Sequence, residues 1–380
     1  MTDWDRFLRV VRRHRVEGLV HEGLTAAAAP LPAPAREALA VRAAGLARRN
    51  LVMARETGRL QRSLDEAGVP NLVLKGATLS ALAYQNRPVK TAWDIDFLTD
   101  PASVPIALAV LQRAGYGLHA PAPALTASQL GAYIAVGREL VLLRAEGRIF
   151  VEVKWSLDQN PGLLPALSAR SAAQTVTLAD GSVARTLGKD SLFAYLCVHG
   201  VRRGFARLKW LADLAALLAL ETGAEIERLY RASQRLGAHR CPAAALLLCA
   251  DVLGLPLEPA LREELAADRA ARRLAAASLQ TLAGGDGEAE LSARPLATTR
   301  LLLAHLLMGR DAATWRAEAR LKWISARDRM DMPLPPWAGF VYPLVRAPRF
   351  LWRRAAGAMG SGPGLIRPPR GPSRSPRSDA

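Results

Sequence analysis

The tripeptide Asp94-Ile95-Asp96 puts two carboxylates one residue apart in the run TAWDIDFLTD, which Trp93, Ile95, Phe97 and Leu98 mark as a β-strand. Side chains alternate along a strand, so both carboxylates leave the same face with their Cα atoms ~7 Å apart. Two acids so placed repel each other unless a cation sits between them. Mg²⁺ suits the pair, because it takes oxygen ligands at ~2.1 Å, keeps several waters and shares substrate phosphates. Mn²⁺ is the close substitute. A third acid, Glu152, stands between Val151 and Val153 in another apolar strand, where a carboxylate needs a partner or a purpose. Asp94, Asp96 and Glu152 are therefore the candidate metal ligands and catalytic acids. Taken alone, the Asp pair could equally cap loops or pair with arginine.

Upstream, VPNLVLKGATLSALAY reads as a short buried strand from Val69 to Leu74, a tight turn at Lys75-Gly76, and a helix. Backbone N–H groups at a helix N-terminus bind phosphate, and glycine lets a ligand approach the backbone. Lys75 would add a point charge to a phosphate. A strand, a glycine turn, a helix, paired acids on the next strand and a third acid on a later one are together the parts of a metal-assisted nucleotidyl transfer. Further on, CVHGVRRGFARLKWLADLAALL places His199, Arg202 and Arg203 within one helical turn. It also puts Lys209 four residues before Asp213, a spacing that suits an ordinary helix ion pair. Trp210 reads as core. His14, His21, His119, His239 and His305 have no partner that the sequence assigns. No GxGxxG follows a strand, and there is no GxxxxGK[ST], HExxH or GxSxG with a plausible triad, so Rossmann, P-loop, zincin and serine-hydrolase chemistry are not supported.

The elements that must position these groups can be read from periodicity. Trp4, Phe7, Leu8 and Val11 recur at helical spacing, and after a Pro/Ala loop a longer helix runs from about Arg36 to Ala67, closed at Gly68. Val104 to Ala114 is a helix closed by Gly115. Glu139 to Arg144 and Ile149 to Trp155 form a hairpin across AEGR. From Asp190 to about Leu282 the chain is apolar at helical spacing with no strand signal. A loop lies near 284 to 295, and more helices follow to about Asp331. Trp337 to Arg354 is a basic amphipathic segment interrupted by Pro343 and Pro348. After Gly357 the chain is Gly, Pro, Ser and Arg, with too little to bury to fold.

The chain has 380 residues, half of them hydrophobic, which is ample for a core and suggests two or three domains. Its longest apolar run, Ala243 to Leu257, is broken by Asp251, so no transmembrane helix is expected. The N-terminus carries acids and arginines without an apolar stretch, so a cytoplasmic location is expected. Three cysteines, with no zinc-finger spacing, argue against a disulfide scaffold or a structural zinc. The formal charge is +17, and arginine greatly outnumbers the six lysines, as in alanine-rich chains from GC-rich coding sequences. From Met332 onward there are eight arginines and one acid. That segment is either a solvated tail or a weak contact for an anionic surface.

LVLKGATLSALAYQNRPVKTAWDIDFLTD resembles the signature of a family of bacterial nucleotidyltransferases within the polymerase-β-like superfamily. The matching residues are Lys75, Gly76, Tyr84, a basic residue at Arg87 or Lys90, and Asp94-Ile95-Asp96. VEVKW is similar to a family strand that reads Asp-x-His-Trp, with Glu152 for Asp and Lys154 for His. His199, Gly200, Lys209, Trp210 and Asp213 match a later helical segment, so the likeness spans about residues 60 to 220. This chain departs from the superfamily at the turn as well, with Lys-Gly-Ala where Gly-Ser or Gly-Gly is usual. The resemblance implies an α/β (α+β) nucleotidyltransferase core with a small mixed β-sheet, flanked by extensive helical regions. The expected divisions are 1–66 (helical), 67–188 (core), 189–331 (helical), 332–356 (basic amphipathic) and 357–380 (disordered tail). It implies transfer of a nucleoside monophosphate from an NTP to an unidentified acceptor, with release of pyrophosphate and with metal held by Asp94, Asp96 and Glu152. Two metal ions would bridge the acceptor, the α-phosphate and the carboxylates. Lys75, Gly76, Lys154, His199 and Lys209 would bind the nucleotide. The rival is a catalytically altered relative that docks on membrane lipid or nucleic acid.

Overall fold

Alternation along the strands decides which of two apolar layers each side chain joins, and it leaves the acids on a single face. The computed structural model describes residues 3–283 and 295–323, together with residue 341. The loop, basic-segment and tail expectations for 284–294 and beyond 323 lie outside the described residues.

Three helices open the chain: α1 (Trp4–His14), α2 (Glu17–Ala26) and α3 (Ala33–Glu66). Pro34 at the start of α3 suits a first turn whose N–H groups have no partner, and the chain turns at Gly68 with φ +68°. The α/β region follows as β1 (Asn71–Val73), α4 (Ala77–Tyr84), β2 (Asp94–Thr99), α5 (Val104–Arg113), β3 (Gly117–Ala120), α6 (Ala127–Val136), β4 (Glu139–Arg144), β5 (Ile149–Lys154), β6 (Ala173–Thr177) and β7 (Val183–Leu187). The seven strands make one mixed sheet in the order β3-β4-β5-β2-β1-β7-β6. β2 runs parallel to β5, and β1 parallel to β7; the remaining neighbours are antiparallel. This is an α/β core built on a mixed sheet, as the resemblance implies. The expected first strand is shorter than Val69 to Leu74, and β3, β6, β7 and α6 were not anticipated.

On one face Val73, Ile95, Phe97, Val151 and Val153 pack with Met53, Leu60 and Leu64 of α3 and with Val104, Ala107 and Leu111 of α5. On the other, Leu72, Leu74 and Leu98 join the larger core built from α4 and the later helices. Those are α7 (Lys189–Arg202), α8 (Leu208–Leu218), α9 (Gly223–Arg235), α10 (Cys241–Leu253), α11 (Pro259–Ala267), α12 (Arg269–Ala283) and α13 (Pro295–Ala304), and α14 (Ala312–Trp323) follows. α10 is apolar all round and buried from Cys241 to Ala250, as a central helix must be. Asp251, which interrupts that run, is exposed and pairs with Arg262 at 2.8 Å. Cys197, Cys241 and Cys249 are buried free thiols. Among the described residues no helix is long and apolar enough to cross a membrane.

α14 is held to the body chiefly through one largely buried guanidinium. Arg202 reaches Asp158 through Nε (2.9 Å) and Nη2 (2.6 Å), and Glu318 through Nη1 (2.6 Å) and Nη2 (2.8 Å). Asn160 adds a 3.0 Å bond to Glu318. Arg202 thus serves packing. Removing one partner from a buried ion pair leaves uncompensated charge that costs ~3–5 kcal/mol. Arg202→Met should lose that much unfolding free energy in urea; a loss below ~1 kcal/mol would show that the cluster is not a clamp.

Candidate active site

The register of β2 against β5 brings the acids together. Asp96 lies opposite Glu152 in the parallel ladder, and Asp94 opposite Phe150. Neighbouring strands are ~4.8 Å apart, so Asp96 and Glu152 leave the sheet side by side, with Asp94 two residues down the same face. Ligand oxygens of Asp94, Asp96 and Glu152 all lie within 4.8 Å of one another. β1 ends beside them: Leu74 N–H donates to Asp96 O at 2.9 Å, which carries Lys75 and Gly76 to the mouth of the cluster. Gly76 caps α4 at φ +77°, a conformation that favours glycine, and a Cβ there would stand 3.4 Å from Asp94 O.

Two ammoniums answer the negative charge. Lys75 Nζ bonds Asp96 Oδ2 and lies 3.4 Å from Asp94 Oδ2. Lys154 Nζ bonds Glu152 Oε2 and Glu139 Oε2 and lies 3.3 Å from Asp96 Oδ1. Burial opposes every one of these charges, and the outcome differs by position. Asp94 is held well below the usual carboxylate range, where Lys75, Lys209 and Lys154 outweigh burial. Glu152 is brought to about 2, with Lys154 and Lys75 outweighing burial. Asp96 is wholly buried, and burial pushes it up to about 7 with help from Asp94 and Glu152 and against Lys75 and Lys154. Both lysines are raised, because the surrounding carboxylates outweigh burial.

The donor set fits a hard divalent cation such as Mg²⁺ or Mn²⁺, since all three candidate ligands are carboxylates. One observation favours it further: Asp94 and Glu152 stay partly exposed, 34% and 25%, so a cation can reach their oxygens from solvent.

The remaining expected residues fall into two groups. His199 stands half-buried between Tyr195 (5.6 Å) and Trp210 (5.9 Å), and burial, then Lys75, Arg203 and Lys154, keep it neutral. Lys209 does not pair with Asp213. Its Nζ lies 3.5 Å from Thr91 O and 6.0 Å from the Trp210 ring centre, and burial with the charges of Lys90 and Arg15 lowers it to about 7, Asp94 opposing. Asp213 is taken instead by Lys90 Nζ and by Tyr84 Oη at 3.0 Å. That lock is buried, so Tyr84, Lys90 and Asp213 hold α4, the following loop and α8 together. Arg87 faces outward to Glu22. Of the unassigned histidines, His14 Nδ1 accepts from Leu208 N–H at 3.1 Å, and His239 lies 3.1 Å from Gly162 O.

Two members of the cluster were missed. Glu139 sits opposite Lys154 in the β4–β5 hairpin, a pairing that counting outward from AEGR would have given. Tyr195 precedes His199 by one helical turn; burial, then Asp96, raises it to about 12.

The model of a family described as uncharacterised nucleotidyltransferase matches residues 1–254. The chain belongs to this family. No curated protein matches it. As a nucleotidyltransferase, it has its acidic triad and its glycine turn inside the matched span. Helices α11 to α14 lie beyond the matched span.

The lowered pKa of Lys209 has a thermodynamic consequence. Below pH 7 the folded chain must hold a charged, poorly compensated ammonium; between about 7 and 10.5 the unfolded chain binds more protons, so stability rises with pH. Lys209→Met should therefore melt above the wild type at pH 6, with the gap closing from pH 7 toward 10. A pH-independent gap would refute this.

Proposed function

We propose that the protein transfers a nucleoside monophosphate from an NTP to an acceptor group, releasing pyrophosphate, with Mg²⁺ or Mn²⁺ bound at Asp94, Asp96 and Glu152. The convergence of these three carboxylates beside the Lys75-Gly76 turn carries the reading. A bound divalent ion would supply charge for the developing pentavalent phosphate and would lower the pKa of a coordinated oxygen.

The chain's own groups divide the rest of the work. Gly76, which caps α4, lies beside Asp94, so the free N–H groups of the first turn suit the phosphate tail. Lys75 keeps its ammonium against Asp94 and Asp96, where it can add a bond to a phosphate without moving far. Lys154 neutralises Glu152 and Asp96 from the β5 side. Glu152, brought to about 2, stays ionised at neutral pH and is too weak a base to take the acceptor's proton, so we assign it as a ligand. His199, neutral, can donate a hydrogen bond but brings no charge. Lys209, at about 7, is partly charged at neutral pH, and a triphosphate beside it would favour the charged form. Catalysis by this set is positioning and charge neutralisation.

Asp94→Asn tests the reading. It removes one ligand and a charge that Lys75, Lys209 and Lys154 hold favourably in the folded chain, so the fold should stand while the melting temperature falls at neutral pH. Pyrophosphate release from an NTP in Mg²⁺ should drop at least ~100-fold, the scale set by losing one charge-stabilising group. Undiminished release in the variant would remove Asp94 from the chemistry.

A further inference from the structure

The three carboxylates form a triangle, and two of its edges already carry a cation. Lys75 Nζ spans the edge from Asp94 to Asp96, bonding Asp96 Oδ2 and standing 3.4 Å from Asp94 Oδ2. Lys154 Nζ spans the edge from Asp96 to Glu152, bonding Glu152 Oε2 and standing 3.3 Å from Asp96 Oδ1. Among the described residues no basic group hydrogen-bonds or ion-pairs across the third edge, from Asp94 to Glu152. Those two side chains are also the accessible ones, 34% and 25% exposed against 0% for Asp96.

A carboxylate that offers one oxygen to each ion is the protein's own means of bridging a pair of divalent ions ~3.5–4 Å apart. Asp96 occupies the centre of this cluster, but its two oxygens face two ammoniums. Lys154 is not free to move aside. It is 5% exposed, Glu139 Oε2 grips it from β4, and displaced into the core it would be a buried charge without a partner.

We propose that this site takes a single divalent ion, on the Asp94–Glu152 edge, and that the ammonium of Lys154 permanently supplies the positive charge a second ion would bring. The proposal rests on reading the triangle as a metal site, and it replaces the two ions implied by the resemblance with one ion and one lysine. Lys154 is then a charge-compensating residue: its substitution should change how many ions bind, which a purely structural role would not do.

Titration of the full chain with MnCl₂, followed by calorimetry and by the electron paramagnetic resonance signal of free Mn²⁺, counts the bound ions. The wild type should bind one ion per chain, Lys154→Arg should also bind one, and Lys154→Met should bind two. Two ions in the wild type would overturn the proposal while leaving the metal-site reading intact. One ion in Lys154→Met, with its fold confirmed by circular dichroism, would overturn the role of Lys154. If Lys154→Met does not fold, the wild-type count decides. No Mn²⁺ binding by the wild type would overturn the metal-site reading itself, and the proposal with it.

Discussion

Asp96 is a carboxylate with no solvent exposure, and it shares one face of a sheet with two more acids. Such a group stays ionised in a folded protein only as far as cations meet it from within, and burial still pushes Asp96 up to about 7. Lys75 and Lys154 meet it, one to each oxygen, and each arrives from a strand adjacent to β2. The sheet order β5-β2-β1 is therefore an electrostatic requirement as much as a packing one. It places the basic ends of β1 and β5 on either side of the acidic strand.

The rest of the structure fixes that arrangement. On the far face, Ile95, Phe97, Val151 and Val153 are gripped by α3 and α5, so the strands cannot slip by one residue without exchanging acids for apolar groups. On the near face, the Tyr84–Asp213–Lys90 lock ties α4 to α8, and α8 brings Lys209 and Trp210 toward the cluster. The basic-Trp-x-x-Asp run, of which the resemblance gave Lys209 to the nucleotide, thus divides between a structural lock and the margin of the site.

Much of this was legible in the residues. Period-two alternation in DIDFL put Asp94 and Asp96 on one face, VEV singled out Glu152 as an acid between valines on another strand, and Lys75-Gly76 marked the tight turn before α4. What sequence could not show was which strands adjoin. The convergence depends on β2 pairing with β5, more than 50 residues away in the chain, with Asp96 opposite Glu152. β6 and β7 escaped notice because AQTVT and VARTL are short and mix polar with apolar residues at the sheet edge, leaving little hydrophobic signal. The Lys209–Asp213 spacing misled because local geometry permits a pair that the distant Lys90 takes instead. Lys154 in the place of a family histidine was visible in the sequence, but its grip on three carboxylates was not.

The central claim is that the α-phosphorus of an NTP is the atom attacked. It is tested most directly by incubating the full chain in Mg²⁺ with NTP labelled at either the α- or the γ-phosphate, with a cell lysate as the source of acceptor. The account predicts that the α-label passes to an acceptor or to water as the monophosphate, while the γ-label leaves in pyrophosphate. Transfer of the γ-label to any acceptor, or an α-label that stays in intact NTP, would contradict it.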